Sequence, residues 1–225
     1  MGIDVFLELP DVLTPDEVSR LRGLAGAARF VDGRQSNPHS TVKNNLQIDP
    51  GDPAHREASR LMAGALQRNE AFRNFAMPRL VAPPILAKYH PDMNYGLHSD
   101  AAILPLAGGP LRSDLSCTLF LADPADYQGG ELSVHLGTRQ IAFKGAPGSA
   151  VVYPSNTLHE VRPVSAGDRL VGLTFIESQV RDPAYRDLLY QLDEVAALEG
   201  LTMHWENRTR LQYVRSSLRR MWSAG

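Results

Sequence analysis

Leu97-His98-Ser99-Asp100 is the stretch on which the reading of this chain turns, together with Leu158-His159-Glu160 and Arg169 downstream. On an extended strand, residues two apart project to one side, so His98 and Asp100 can hold a single ion from one strand end. A third neighbour in sequence could not close that face. The remaining ligand has to come from another strand, and His159 follows the apolar run Val151-Val152-Tyr153. Two imidazoles and a carboxylate make one face of a mononuclear non-haem Fe(II) site, leaving the other face for an organic co-substrate and dioxygen. Mn, Co, Ni or Zn suit the same donors. A His-x-Asp pattern alone is common by chance, so its weight depends on what surrounds it.

Arg169 follows His159 across the turn Ser165-Ala166-Gly167-Asp168. On a β-segment beside that of His159, its guanidinium could grip a carboxylate through two parallel hydrogen bonds. A surface arginine after a turn is the plainer reading of Arg169 taken by itself. Tyr89 ends an apolar run and could aim its hydroxyl at the same acid, with Tyr95 as a competing candidate. His39, His55, His90, His135 and His204 lack comparable partners; His90 and His135, at the ends of β-rich runs, are expected nearest the cavity.

The frame around these residues is mainly β. Short β-rich runs recur at 85–89, 115–121, 131–135, 150–153, 160–164 and 170–176, separated by clusters such as Gly108-Gly109-Pro110, Gly129-Gly130 and Ala146-Pro147-Gly148. Such spacing predicts a double-sheet barrel or sandwich. Thr14-Pro15-Asp16-Glu17 reads as a capping box that opens a helix, with Val18, Leu21, Leu24 and Ala25 on one face. A second helical stretch is expected over 54–76, and Asp182-Pro183 starts a third that runs to Trp222. The N-terminal helices should buttress one sheet.

Bulk properties exclude several classes. Of 225 residues, 43% are hydrophobic and 21% charged, which suits a packed globular chain rather than a disordered one. A formal charge of −2 gives no overall field favouring nucleic acid or an anionic membrane. Cys117 is the single cysteine, so neither an intramolecular disulfide nor a thiolate zinc cluster can form. Asp4 and Glu8 interrupt the N-terminal apolar residues, and no apolar run approaches a membrane span, so a cytoplasmic protein is expected.

Several segments stand in one familiar order: Phe30-Val31-Asp32-Gly33, Val42-Lys43-Asn44-Asn45, Tyr89, Tyr95-Gly96-Leu97-His98-Ser99-Asp100 and Arg112-Ser113-Asp114-Leu115-Ser116. They continue through Thr118-Leu119-Phe120-Leu121, Tyr127-Gln128-Gly129-Gly130-Glu131-Leu132, Val152-Tyr153-Pro154-Ser155 and Ile176-Glu177-Ser178-Gln179-Val180-Arg181-Asp182. Over nearly its whole length the chain resembles the Fe(II)/2-oxoglutarate-dependent dioxygenases of the prolyl 4-hydroxylase-like superfamily, and among them the PKHD-type hydroxylases. The resemblance implies a double-stranded β-helix, or jelly-roll, core with N-terminal buttressing helices and a C-terminal helical segment. It implies a dioxygenase domain over 1–180, with the buttress at about 1–77 and the jelly-roll at about 78–180, and an extension over 181–225.

The same resemblance implies His98, Asp100 and His159 on Fe(II), Arg169 on the distal carboxylate of 2-oxoglutarate, and Tyr89 hydrogen-bonded to that carboxylate. Dioxygen is the oxidant, and ascorbate is carried over as an accessory reductant. Ser99, Ala101 and Phe175 depart from the family pattern, which assigns them to the substrate pocket. Lys43, Asn44, Asn45 and Arg112 are nominated for substrate selection, with a structural hydrogen-bond network as the competing reading. The expected substrate is a small or amino-acid-like molecule, and Leu188, Leu189, Leu192, Val195 and Leu198 suggest a homodimer through the C-terminal helices.

Two rivals remain. A non-catalytic cupin-like binding or sensing module would share the strand spacing. A nucleic-acid demethylase of the superfamily would carry a second arginine where Phe175 stands, and the basic tail Arg208, Arg210, Arg215, Arg219 and Arg220 interleaves with apolar residues as a solvated amphipathic helix does.

Overall fold

A computed structural model describes residues 6–223. Thr14 caps α1 (Pro15–Ala27): its Oγ1 accepts from the Glu17 amide, while the Glu17 carboxylate accepts from the Thr14 amide. Val18, Leu21 and Ala25 form the buried face. The helical stretch expected over 54–76 is two helices, α2 (Pro53–Arg68) and α3 (Glu70–Ala76). Asn69 divides them, because its extended backbone stops α2 and its Oδ1 accepts from the Phe72 amide to start α3. Past Asp182 the chain again forms two helices, α4 (Pro183–Glu199) and α5 (Trp205–Trp222), with Gly200 at the end of the first.

Two large antiparallel sheets make most of the β-rich half, beside two two-stranded ones. The larger runs in the order Leu7–Leu9, Ala150–Pro154, Leu115–Phe120, Arg169–Ser178, Ile85–Tyr89, Leu46–Ile48, Phe30–Asp32, with Pro78–Val81 added beside the far end of Arg169–Ser178. The smaller runs Arg139–Phe143, Leu132–Leu136, His159–Val161, Asn94–His98, Lys43–Asn44. The expected run over 160–164 is split between His159–Val161 and Val164–Ala166, since Pro163 has no amide hydrogen to continue the ladder. A hairpin of Ile103–Leu106 and Gly109–Arg112 was not expected from the sequence, whose alternation there is weak.

Period-two alternation sorts the side chains of the larger sheet. Leu115, Cys117 and Leu119 pack outward with Leu21, Met62, Leu66 and Phe72 of the helices. Phe120, Tyr89, Val151 and Val171 pack inward with Leu132, Val134 and Val161 of the smaller sheet. All six residues of Leu115–Phe120 are therefore buried, which is why that strand reads as apolar on both faces. Burying each such leucine contributes about 2 kcal/mol. The helices thus cover one face of a two-sheet jelly-roll, and the space between the sheets is left for function.

The last two helices are tied on differently. Leu189 of α4 packs with Met77 and Val180, joined by Leu218 and Trp222 of α5. Arg215 and Arg219 both pair with the buried Asp193, so two charges of the basic tail are neutralised within the chain. Leu188, Val195 and Leu198 are exposed. Among the described residues no helix is long and apolar enough to cross a membrane.

Candidate active site

Cross-strand register creates the site. His159 opens its strand directly opposite His98, so the two rings meet with centroids 4.3 Å apart. The strand Asn94–His98 ends at His98, and Asp100 lies beyond it rather than on it as strand spacing suggested. Its position is fixed from the larger sheet instead. The Asp100 amide donates to the Ser155 carbonyl at 3.0 Å, and Ser116 Oγ donates to Asp100 Oδ2 at 2.5 Å.

The donor set fits a divalent metal. His98 Nδ1 contacts the Gly96 carbonyl at 2.7 Å and His159 Nδ1 contacts the Thr157 carbonyl at 2.9 Å. A carbonyl only accepts, so each Nδ1 carries the proton and each Nε2 keeps its lone pair for a ligand. Those Nε2 atoms lie 3.8 and 3.7 Å from Asp100 Oδ1 and Oδ2, and one donor atom from each of the three residues lies within 4.8 Å of the others. Two ligands bonded to one ion at about 2.1 Å can stand up to about 4.2 Å apart, so these pairs can share an ion. Burial, reinforced by the neighbouring His159 imidazole, pushes the His98 pKa down to about 4 and keeps that ring neutral.

Aromatic rings hold the imidazoles in plane. Tyr95 stacks on His98 at 3.6 Å between centroids, and Tyr153 meets His159 edge-on at 5.1 Å. Tyr95 accepts a hydrogen bond from Asn37 Nδ2. Behind Asp100 runs a chain of three hydroxyls: Ser113 Oγ donates to Ser155 Oγ at 2.7 Å, and Ser155 and Ser116 hydroxyls are 2.8 Å apart. Sequence reasoning missed this chain. The available signal was alternation, since Ser116 shares the inward face with Thr118 and Phe120.

Arg169 and Tyr89 sit opposite each other in the larger sheet, the guanidinium carbon 4.9 Å from the centre of the phenol ring. The sequence placed Arg169 next to the strand of His159; the chain in fact crosses from one sheet to the other between them. Arg169 is 1% exposed, and among the described residues its three guanidinium nitrogens have no partner at ordinary hydrogen-bond distance, with the Tyr127 and Tyr89 phenols beside it. Burial raises the Tyr89 pKa, opposed by the Arg169 charge and by Asn45. Gly130 makes room: its φ is positive, and a Cβ on it would come within 3.0 Å of the Arg169 side chain.

A cavity of about 260 Å³ opens beside Asp100, with Lys43 and Asn45 in its wall. Ser99, Ala101 and Phe175, the three departures from the expected pattern, are also in that wall. Asn44 and Arg112 lie outside it: Asn44 Nδ2 donates to the Asp92 carbonyl, and Arg112 pairs with Asp114 and Glu177. His90 and His135 are likewise absent from the wall, His90 contacting Asp168 and His135 lying 3.6 Å from Glu160.

Comparisons with known proteins agree with this architecture. Residues 84–177 match the model of the 2OG-Fe(II) oxygenase superfamily. A PKHD-type hydroxylase of Sphingopyxis alaskensis is 51% identical over 96% of this chain and 98% of its own length. One from Stenotrophomonas maltophilia is 40% identical over 84% of this chain and 85% of its own. A prolyl-4-hydroxylase crystal structure from Pseudomonas putida, 21% identical, superposes with a TM-score of 0.54, covering 77% of this chain and 92% of that one. With its jelly-roll sheets and convergent His98, Asp100 and His159, the chain belongs to the PKHD-type hydroxylases of the 2OG-Fe(II) oxygenase superfamily.

Proposed function

We propose that this protein is an Fe(II)- and 2-oxoglutarate-dependent dioxygenase that hydroxylates a C–H bond of a small or amino-acid-like molecule, releasing succinate and CO2. The observation that carries the reading is Arg169, a fully buried guanidinium with no anionic partner among the described residues, in the sheet interior that also holds the three convergent donors. Leaving a charge unpaired in a protein interior costs several kcal/mol. A dicarboxylate co-substrate would supply the missing partner.

In this reading His98, Asp100 and His159 hold the iron, which with 2-oxoglutarate and O2 supplies the oxidising chemistry when bound. Arg169 binds the far carboxylate of 2-oxoglutarate, and Tyr89 donates its O–H to the same group. Burial keeps the Tyr89 phenol protonated and able to donate. Tyr95 and Tyr153 keep the imidazole planes fixed, and Ser116 orients the Asp100 carboxylate. Ile85, Leu173 and Phe175 give the adjoining cavity an apolar wall that excludes water. Residues 1–180 form the catalytic unit and 181–225 an extension of it.

The nucleic-acid demethylase reading loses its main support at Phe175, which lines the cavity where that group would need a second cation. Purified protein given Fe(II) and 2-oxoglutarate without air should develop a weak visible charge-transfer band, and should release succinate once O2 is admitted. Asp100→Ala should lower that succinate release at least a thousandfold. Wild-type turnover in the variant at equal iron loading would remove Asp100 from the site.

A further inference from the structure

The cavity beside Asp100 has a wall of mixed chemistry. Ile85, Leu104, Leu173 and Phe175 supply apolar surface, while Lys43 and Asn45 supply a cation and an amide. Lys43 is 7% exposed, fixed by backbone pairing opposite Tyr95. Its Nζ donates to Ser36 Oγ at 2.7 Å and lies 5.2 Å from the centre of the Tyr95 ring. A hydroxyl and an aromatic face are both neutral. The carboxylates that act on it at longer range are already engaged, Asp32 with Arg34 and Asp100 with Ser116 and the two imidazoles.

Asn45 adds a second, independent sign. It is 3% exposed, and beyond an approach to the Tyr89 phenol its buried amide nitrogen and oxygen have no hydrogen-bond partner among the described residues. Unsatisfied amides and cations are rare in interiors unless a ligand completes them. Burial also lowers the Lys43 pKa, to about 8, as it does for an ammonium that lacks a close anion.

We propose that Lys43 and Asn45 are the substrate's anchor: they bind a free carboxylate on the molecule to be hydroxylated, whose apolar part lies along Leu173 and Phe175. This rests on the proposed site at His98, Asp100 and His159, because the anchor is useful only if oxidation happens beside Asp100. Among the substrate classes open to the fold, it selects free acids, including amino acids with an unblocked carboxyl end. Nucleotide bases, and internal peptide residues other than aspartate and glutamate, lack the group that Lys43 would bind.

The test uses a panel of free L-amino acids, their N-acetyl derivatives and the corresponding C-terminal amides. Binding is read by ligand-observed NMR and thermal shift, on apo protein and on protein loaded with Mn(II) and 2-oxoglutarate. At least one acid should bind about tenfold or more tightly than its amide, the margin of one charge-assisted hydrogen bond. Lys43→Met should erase that preference while changing the affinity for 2-oxoglutarate less than twofold, and Lys43→Arg should restore part of it. If no acid outbinds its amide, or Lys43→Met keeps the preference, the proposal is overturned. It is equally overturned if Lys43→Met weakens 2-oxoglutarate instead, for the lysine would then serve the co-substrate. Failure of wild-type protein to bind Mn(II) with 2-oxoglutarate would sink the proposed activity, and is read separately from the acid–amide comparison.

Discussion

Arg169 and Arg112 are two cations of the same fold treated in opposite ways. Arg112 is tied by parallel hydrogen bonds at 2.8 Å to Asp114, by an ion pair at 3.5 Å to Glu177, and by a hydrogen bond to the Ser178 carbonyl. Glu177 reaches on to Arg79, and Asp114 Oδ2 also accepts from the Ser178 amide, so the knot joins the hairpin of Gly109–Arg112 to the end of the long strand. Arg169, at the other end of that strand, is more deeply buried and has no such partner. The difference separates structure from function. A half-buried cation whose bonds are complete within the chain holds elements together; a fully buried one left incomplete is what the proposed co-substrate would complete.

The strongest way to break this comparison is to remove the charge at Arg169. Arg169→Met should raise the KM for 2-oxoglutarate about a hundredfold, since a charge-assisted bidentate pair and its geometry are lost together. The same change should not lower the melting temperature of the protein without co-substrate, because the native state loses a charge that only aromatic neighbours, and no anion among the described residues, offset. It should also abolish the thermal protection that 2-oxoglutarate gives the wild type. Kinetics with a melting curve on one preparation decides the matter. A large loss of stability without co-substrate would show Arg169 to be a structural cation like Arg112.

Arg112→Met should behave in the reverse manner. Removing it leaves the Asp114 carboxylate, 8% exposed, without its bidentate cation, while Glu177 keeps only Arg79. Breaking such a half-buried, charge-assisted pair costs about 2 kcal/mol, or roughly 4–8 °C in melting temperature for a chain of this size. The KM for 2-oxoglutarate should stay within about twofold, which is the ordinary reading of a change that touches no binding group. A raised KM with unchanged stability would return Arg112 to the substrate-selecting role first suggested for it.

How much of this was legible beforehand varies with the physics of each residue. The capping box at Thr14 and the inward-outward alternation of the central strands are local, so the sequence carries them directly. His98, Asp100 and His159 could be paired because chemistry demands three donors, though not how they meet: Asp100 was read onto a strand that actually ends before it. Arg112 and Arg169 look alike as letters. Only the fold shows that Asp114 and Glu177 surround one, while the other faces the phenols of Tyr89 and Tyr127 and no carboxylate among the described residues. Asn69 was missed because a capping asparagine sits inside an otherwise continuous apolar pattern. The hydroxyl chain behind Asp100 was missed because Ser113, Ser116 and Ser155 come from segments that register, not sequence, brings together.

That chain offers the finest test of the contrast between completed and waiting groups. Ser116 Oγ donates to Asp100 Oδ2, and Ser155 and Ser113 continue the hydrogen bonding inward. One oxygen of Asp100 is thus spoken for, so the carboxylate presents Oδ1 at a fixed angle while the imidazoles are fixed through Gly96 and Thr157. Outer partners of this kind typically matter by about tenfold to a hundredfold in metal affinity. Ser116→Ala should therefore weaken Mn(II) binding, measured by electron paramagnetic resonance titration of the free ion, by about tenfold. The volume lost is a single hydroxyl at an inward strand position, so the melting temperature should fall by only a few degrees. Ser116→Thr, which keeps the hydroxyl, should recover most of the affinity, and this recovery distinguishes orientation of Asp100 from simple packing. Equal metal binding in Ser116→Ala and the wild type would show that Asp100 is positioned by its backbone bond to Ser155 alone.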